Sequence, residues 1–145
     1  MNYQHILLAT DLLDKHIDVA ERARVMAHNY QAKLSIAHVV ESLPGYASGY
    51  SGVIDLEEEL YEEAKVKLAE FAGSLNIPTQ NQHLGSGNPK IVILDIAEEI
   101  DADLIVVGGH NRHGLGLLLG STAATILHAG HRDVLVVHES KGRKC

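Results

Sequence analysis

An apolar strand, a glycine-rich loop and a predicted helix start follow one another between Leu104 and Thr122, reading LIVVGGHNRHGLGLLLGST. Gly108 and Gly109 carry no side chains, so a ligand can approach the backbone there. Gly120, Ser121 and Thr122 open the predicted helix. The unpaired N–H groups and positive dipole end of a helix favour an anion, and the two hydroxyls add donors. Arg112 brings a positive charge and His110 a further donor. The chemistry that these residue types support is phosphate binding. An earlier apolar run ends in LLATD and offers Thr10 and Asp11. A carboxylate does not take a phosphate directly, but Asp11 can hold a magnesium ion through water. Plainer roles stand beside each of these. Glycines after a strand permit a turn, Ser121 can cap a helix, and Asp11 can cap the first helix or bond loop amides.

Other chemistries fit less well. A P-loop needs G-x-x-x-x-G-K-[ST], and no lysine lies in this stretch; GLGLLLG is one residue too long for a dinucleotide fingerprint and follows the wrong strand. A phosphoacceptor domain would carry more acids at its strand ends and a lysine on its last strand. The ten histidines include HNRH and HAGH, but a structural zinc site usually needs four ligands, often cysteines. The only cysteine is Cys145, and no acid completes a set, so no metal site is assigned. His5 and His38, inside predicted strands, read as satisfied buried groups. Ser121 has no base that the sequence places beside it, so no catalytic set is assigned either.

Alternating strands and helices must position these groups. HILLAT (His5–Thr10) is a continuous apolar run, as in a strand covered on both faces. In DKHIDVAERARVMAHNY, Ile17, Ala20, Ala23 and Ala27 recur at helical spacing, with Asp14 as N-cap. KLSIAHVV (Lys33–Val40) is a second strand. The Gly-, Ser- and Tyr-rich stretch between residues 41 and 52 reads as a surface loop that orders over a ligand or meets a partner. Asp55 and Glu58 form a capping-box-like pair ahead of a helix carrying Leu60, Ala64, Leu68, Phe71 and Leu75 on one face. A short polar third strand lies within IPTQNQHLGSG. Asn88 suits the N-cap, and Pro89 the first position, of the next helix. ADLIVVGG is the fourth strand, STAATILHAG the fourth helix and DVLVVHE the fifth strand. This β-α-β-α-β-α-β-α-β order predicts a single doubly wound parallel sheet of α/β class, with helices on both faces. Ligands of such sheets bind beyond the carboxyl ends of the strands, where the strand order reverses.

Composition narrows the setting. The 145 residues predict one domain, over 1–140, with a short basic tail at 141–145. A net charge of −7 argues against nucleic acid as the partner. No apolar run nears the roughly 20 residues of a membrane helix, and no signal peptide is visible. With a single cysteine no intramolecular disulfide can form, which fits a cytoplasmic location.

The opening YQHILLATDLL, the strand KLSIAHVV, YSGVIDLEEEL, LGSGNPKIVILDIAEEIDADLIVVGGHNRHGLGLLLGST and the closing HRDVLVV resemble the universal stress protein family, UspA type. The resemblance implies a Rossmann-like sheet of order 3-2-1-4-5, of the adenine nucleotide alpha hydrolase-like kind. It also implies a homodimer built by pairing the last strands, through Val134, Leu135, Val136 and Val137, a role that suits an apolar edge. Members that bind ATP carry G-x2-G-x9-G-[ST] in this loop. Gly108 matches the first glycine and Gly120-Ser121 the closing pair, whereas Asn111 replaces the second glycine and the loop is one residue shorter. Asn tolerates positive φ well, so Asn111 can mimic the glycine. Carried over by position, Ala9, Thr10 and Asp11 would border base and ribose, and Val39 would offer backbone groups to adenine. Gly108, Gly109, His110, Asn111 and Arg112 would wrap ribose and phosphates, and Gly120, Ser121 and Thr122 would bind phosphate. The implied ligand is ATP or AMP, with Mg2+ where Asp11 engages it. The implied protein is a stress-response dimer and not an enzyme, with slow ATP hydrolysis or autophosphorylation at Ser121 or Thr122 as the most it would catalyse. The alternative is a UspA-like dimer that binds no nucleotide and acts through protein partners.

Overall fold

The computed structural model of the chain describes residues 2–12, 17–41, 51–108 and 131–138, with the backbone alone at 17 and 51–55. At its centre runs β1 (His5–Ala9), whose Ile6, Leu7 and Leu8 are buried to 1% exposure or less. An alternating strand would turn one side to water. This one has apolar side chains on both sides, each contributing roughly 1.5–3 kcal/mol when buried, so it must be covered twice. The chain then forms α1 (Ile17–Tyr30), β2 (Lys33–Glu41), α2 (Ser51–Ser74), a 3-10 turn at Thr79–Asn81, β3 (Gln82–Gly87), α3 (Pro89–Glu99), β4 (Leu104–Gly108) and β5 (Asp133–Val137).

The strands form one parallel five-stranded sheet of order β3-β2-β1-β4-β5. Two crossovers step outward from β1 to β2 and on to β3. The third returns through α3, past β2 and β1, and sets β4 against β1. The two directions of winding put the helices on opposite faces. Ile6, Leu8, Ile36, Leu104 and Val106 pack with Val19, Ala20, Ala23 and Ala27 of α1 and with Leu68 and Ala72 of α2. Leu7, Ala37, Val39, Ile105 and Val107 pack with Ile93, Ile96 and Ala97 of α3. The predicted class, strand order and helices on both faces are those observed.

Several local expectations shift. Strand β1 ends at Ala9, one residue earlier than predicted, while β2 gains Glu41; β4 starts at Leu104, two residues later than predicted, and His138 lies past the end of β5, whereas Gly109 and Glu139 lie outside the described residues. Helix α2 begins at Ser51, so Asp55 stands inside the helix and not at its cap. A capping pattern ends a helix only where the preceding residues leave the ladder, and residues 51–54 stay in it. Asn88 does cap α3: its side chain accepts from Lys90 N–H at 3.0 Å, with Pro89 at the first position. The Asp14 cap, most of the 41–52 loop, the fourth helix STAATILHAG and the tail lie outside the described residues.

The amino ends of the strands are tied by polar groups. Asp103 accepts from the backbone N–H of Gln4 and of His5, at 2.9 and 3.1 Å. The His5 ring donates from Nδ1 to the Ile100 carbonyl at 3.1 Å and accepts at Nε2 from the buried Ser35 hydroxyl at 2.7 Å. Tyr3 stacks edge-on against Tyr30, at 5.1 Å between ring centroids, and donates to Asp133 at 2.8 Å; that bond, more than burial, holds the phenol above its usual range. Burial, ahead of repulsion from Lys33, keeps His5 below its ordinary 6.5, against the raising pull of the Ile100 carbonyl and Asp103. Burial also lowers His83, against the raising influence of Glu99.

Two predictions follow from this packing. Gly85 on β3 lies so close to α3 that an added Cβ would stand 2.6 Å from Val92 Cγ1. Gly85→Ala is expected to cost about 1–3 kcal/mol in urea unfolding, by overpacking. Adding Val92→Ala is expected to restore part of that loss, and additive losses would refute the contact as its cause. Because the fold resists protonating His5 and His83, the unfolded chain takes up those protons first. The contribution of these two histidines to stability is therefore full above about pH 6.5 and is lost as pH drops below it. Melting temperatures between pH 7.5 and 5.5 should fall, and fall less in a His5→Gln/His83→Gln variant.

Candidate functional site

The reversal of winding leaves a crevice where β1 and β4 end side by side, and the structure holds a cavity of about 480 Å³ there. Its floor is made by strand ends: Ala9 of β1, Val39 of β2, and Val107 and Gly108 of β4. One wall descends between α1 and α2, onto Ala20 and Ala64; the opposite wall is Pro89 and Ile93 at the start of α3. Mostly apolar walls suit a flat, hydrophobic group. Asp11 and Glu41 also line the cavity. Two acids repel a bare phosphate and accept from hydroxyls, so along this side the surface suits a sugar.

The turn after β1 is held by three short bonds. Thr10 N–H continues the ladder to the Ala37 carbonyl at 2.9 Å. The Thr10 hydroxyl accepts from Leu12 N–H at 3.0 Å, closing a local turn. The Thr10 carbonyl accepts from Nδ1 of His38 at 2.8 Å. Leu12 sits at φ 64°, in the left-handed region that a bulky residue enters only when its surroundings compel it. Its side chain packs onto the α1/α2 core, which supplies that compulsion.

Of the residues singled out from sequence, Ala9, Thr10, Asp11, Val39 and Gly108 all line this one cavity. Gly109, His110, Asn111, Arg112, Gly120, Ser121 and Thr122 lie outside the described residues. Sequence reading missed His38, Glu41 and the helical walls. His38 carried a signal, as a polar residue in an otherwise apolar run just short of a strand end. Its ring is hydrogen bonded, as a satisfied group should be, but the residue also lines the cavity. Among the described residues no group of three or more His, Cys, Asp or Glu side chains could hold a metal ion, and no helix is long and apolar enough to cross a membrane.

The profile of the universal stress protein family matches residues 2–138. The chain belongs to the universal stress protein family. It is 39% identical over 140 residues to universal stress protein A homolog 1 of Coxiella burnetii, covering 94% of this chain and 97% of that one. Universal stress protein A of Escherichia coli is 32% identical over 142 residues, covering 94% and 95%. Among solved structures, a universal stress protein in complex with cAMP aligns with a TM-score of 0.63 at 30% identity, over 97% of this chain and 100% of that one. The hypothetical protein MJ0577 aligns with a TM-score of 0.82 at 23% identity, over 98% and 100%, a likeness of fold. The universal stress protein sheet thus carries its cavity at the switch point between β1 and β4.

Proposed function

We propose that this universal stress protein binds an adenine nucleotide, ATP or AMP, in the cavity at the ends of β1 and β4, and that the bound state is its signal. The cavity itself carries the reading. Its 480 Å³ lies within the roughly 300–1,000 Å³ of small-molecule sites, at the place where such sheets take ligands. The cAMP complex of a relative at 30% identity supports a nucleotide as the class of ligand. The base lies among the apolar walls with its edge at Val39. Ala9 and Thr10 border the ribose, whose hydroxyls donate to Asp11 and Glu41. The phosphates extend toward Gly108, Gly109, His110, Asn111 and Arg112 and onto Gly120, Ser121 and Thr122. Mg2+, where present, reaches Asp11 through water. The protein acts in the cytoplasm as a homodimer paired along β5, an edge strand whose Val134, Leu135 and Val136 are only partly covered within one chain. It is a signalling protein and not an enzyme. A ligand-free module acting through protein partners is the competing reading, favoured by Asn111 and the shortened loop.

Calorimetry with ATP, ADP and AMP, with and without Mg2+, separates the two. Nucleotide at a hundredfold excess over its dissociation constant is expected to stabilise the fold by about 2.7 kcal/mol. Gly120→Val is expected to abolish binding. No heat and no thermal shift at millimolar nucleotide would leave the interaction module. Sedimentation equilibrium should return twice the chain mass of 15.7 kDa, for wild type and Gly120→Val alike; a monomer would refute the β5 pairing.

A further inference from the structure

In a parallel ladder one residue sends its N–H and C=O to the same neighbour, and the next residue sends both to the other side. Ala9 of β1 pairs with Ala37 of β2, and the Ala37 carbonyl accepts from Thr10 N–H. The next rung toward β1 would therefore run from Val39 N–H to the Thr10 carbonyl. That carbonyl is held by Nδ1 of His38, at 2.8 Å. Among the described residues the backbone bonding on this side of β2 stops at Thr10 N–H to Ala37. The N–H and C=O of Val39 point the same way, past the end of β1, on the floor of the cavity.

We propose that His38 is a positioning residue: by taking the Thr10 carbonyl with its ring, it stops the β1–β2 ladder one rung early and leaves both backbone groups of Val39 to the ligand. The inference deepens the nucleotide reading and rests on it for the ligand. A donor and an acceptor on one backbone residue match a flat ring with an acceptor beside a donor. The edge of a 6-aminopurine has that order, with ring N1 accepting and the amino group donating. A 6-oxopurine presents the reverse order and would leave both protein groups facing like partners. A site that bonds a polar edge discriminates against a mismatched one because buried groups are then left unpaired. His38 thereby acts on base selection without touching the base.

The test has one arm that needs no ligand and one that does. In the first, amide exchange by NMR is followed at Val39 in the free protein. Val39 N–H is expected to exchange at least tenfold faster than Ala37 N–H in wild type. In His38→Leu the rung can close, and Val39 should become protected. In His38→Asn the side-chain amide can still donate to Thr10, and exchange should stay fast. Slow exchange at Val39 in wild type, or no change in His38→Leu, overturns the proposal. In the second arm AMP and IMP are titrated. A preference for AMP of at least tenfold is expected in wild type and His38→Asn, with loss of that preference in His38→Leu. Equal binding of AMP and IMP by wild type overturns the assigned role in base selection. If neither nucleotide binds while the exchange pattern holds, the nucleotide reading has failed and the ladder-stopping role of His38 has not.

Discussion

Ile6, Leu7 and Leu8 leave β1 with no side that water can wet, and much of the architecture follows from covering both. Helices must lie above and below, so the crossovers must wind in two directions from the same strand. Where two directions begin, neighbouring strands part company beyond their carboxyl ends, because their connections leave toward opposite faces. The cavity is the geometric remainder of that parting. It needs no insertion and no special loop to exist, and what a given chain does with it depends on the residues that happen to end β1, β2 and β4.

Much of this was legible in the sequence. Runs of aliphatic residues without polar alternation mark strands buried on both sides, as at His5–Ala9 and Leu104–Gly108, and their alternation with helical periods marks the winding. Asn88-Pro89 marked the start of α3 correctly because both residues act on their own backbone. What stayed hidden depends on partners distant in sequence. The bond from His38 to Thr10 exists because residues 28 apart meet in one register, and no local pattern encodes that. The start of α2 was misplaced for the opposite reason: the Asp55–Glu58 pattern is local, but the residues before it remain helical. The apolar walls of the cavity were visible only as helix faces, since a face that packs on a sheet and a face that overhangs a crevice have the same periodicity.

The two ends of the sheet are built on different principles. At the amino end, polar groups are saturated: Asp103 holds two amides, and both nitrogens of the His5 ring have partners. At the carboxyl end, the ladder stops early and two acidic residues line a cavity. The first arrangement resists change, and the second is open to it. If the proposed nucleotide binds at the carboxyl end, backbone groups left by the stopped ladder need little further ordering, which favours affinity.

The bond between Tyr3 and Asp133 has a practical bearing. It pins Tyr3 beside the first residue of β5, the sheet's outer strand. Bulk added close to Tyr3 would lie near that edge, where it would crowd whatever docks there. An affinity handle for purification would therefore sit better on a long hydrophilic spacer, or be cleaved off before the assembly state is weighed.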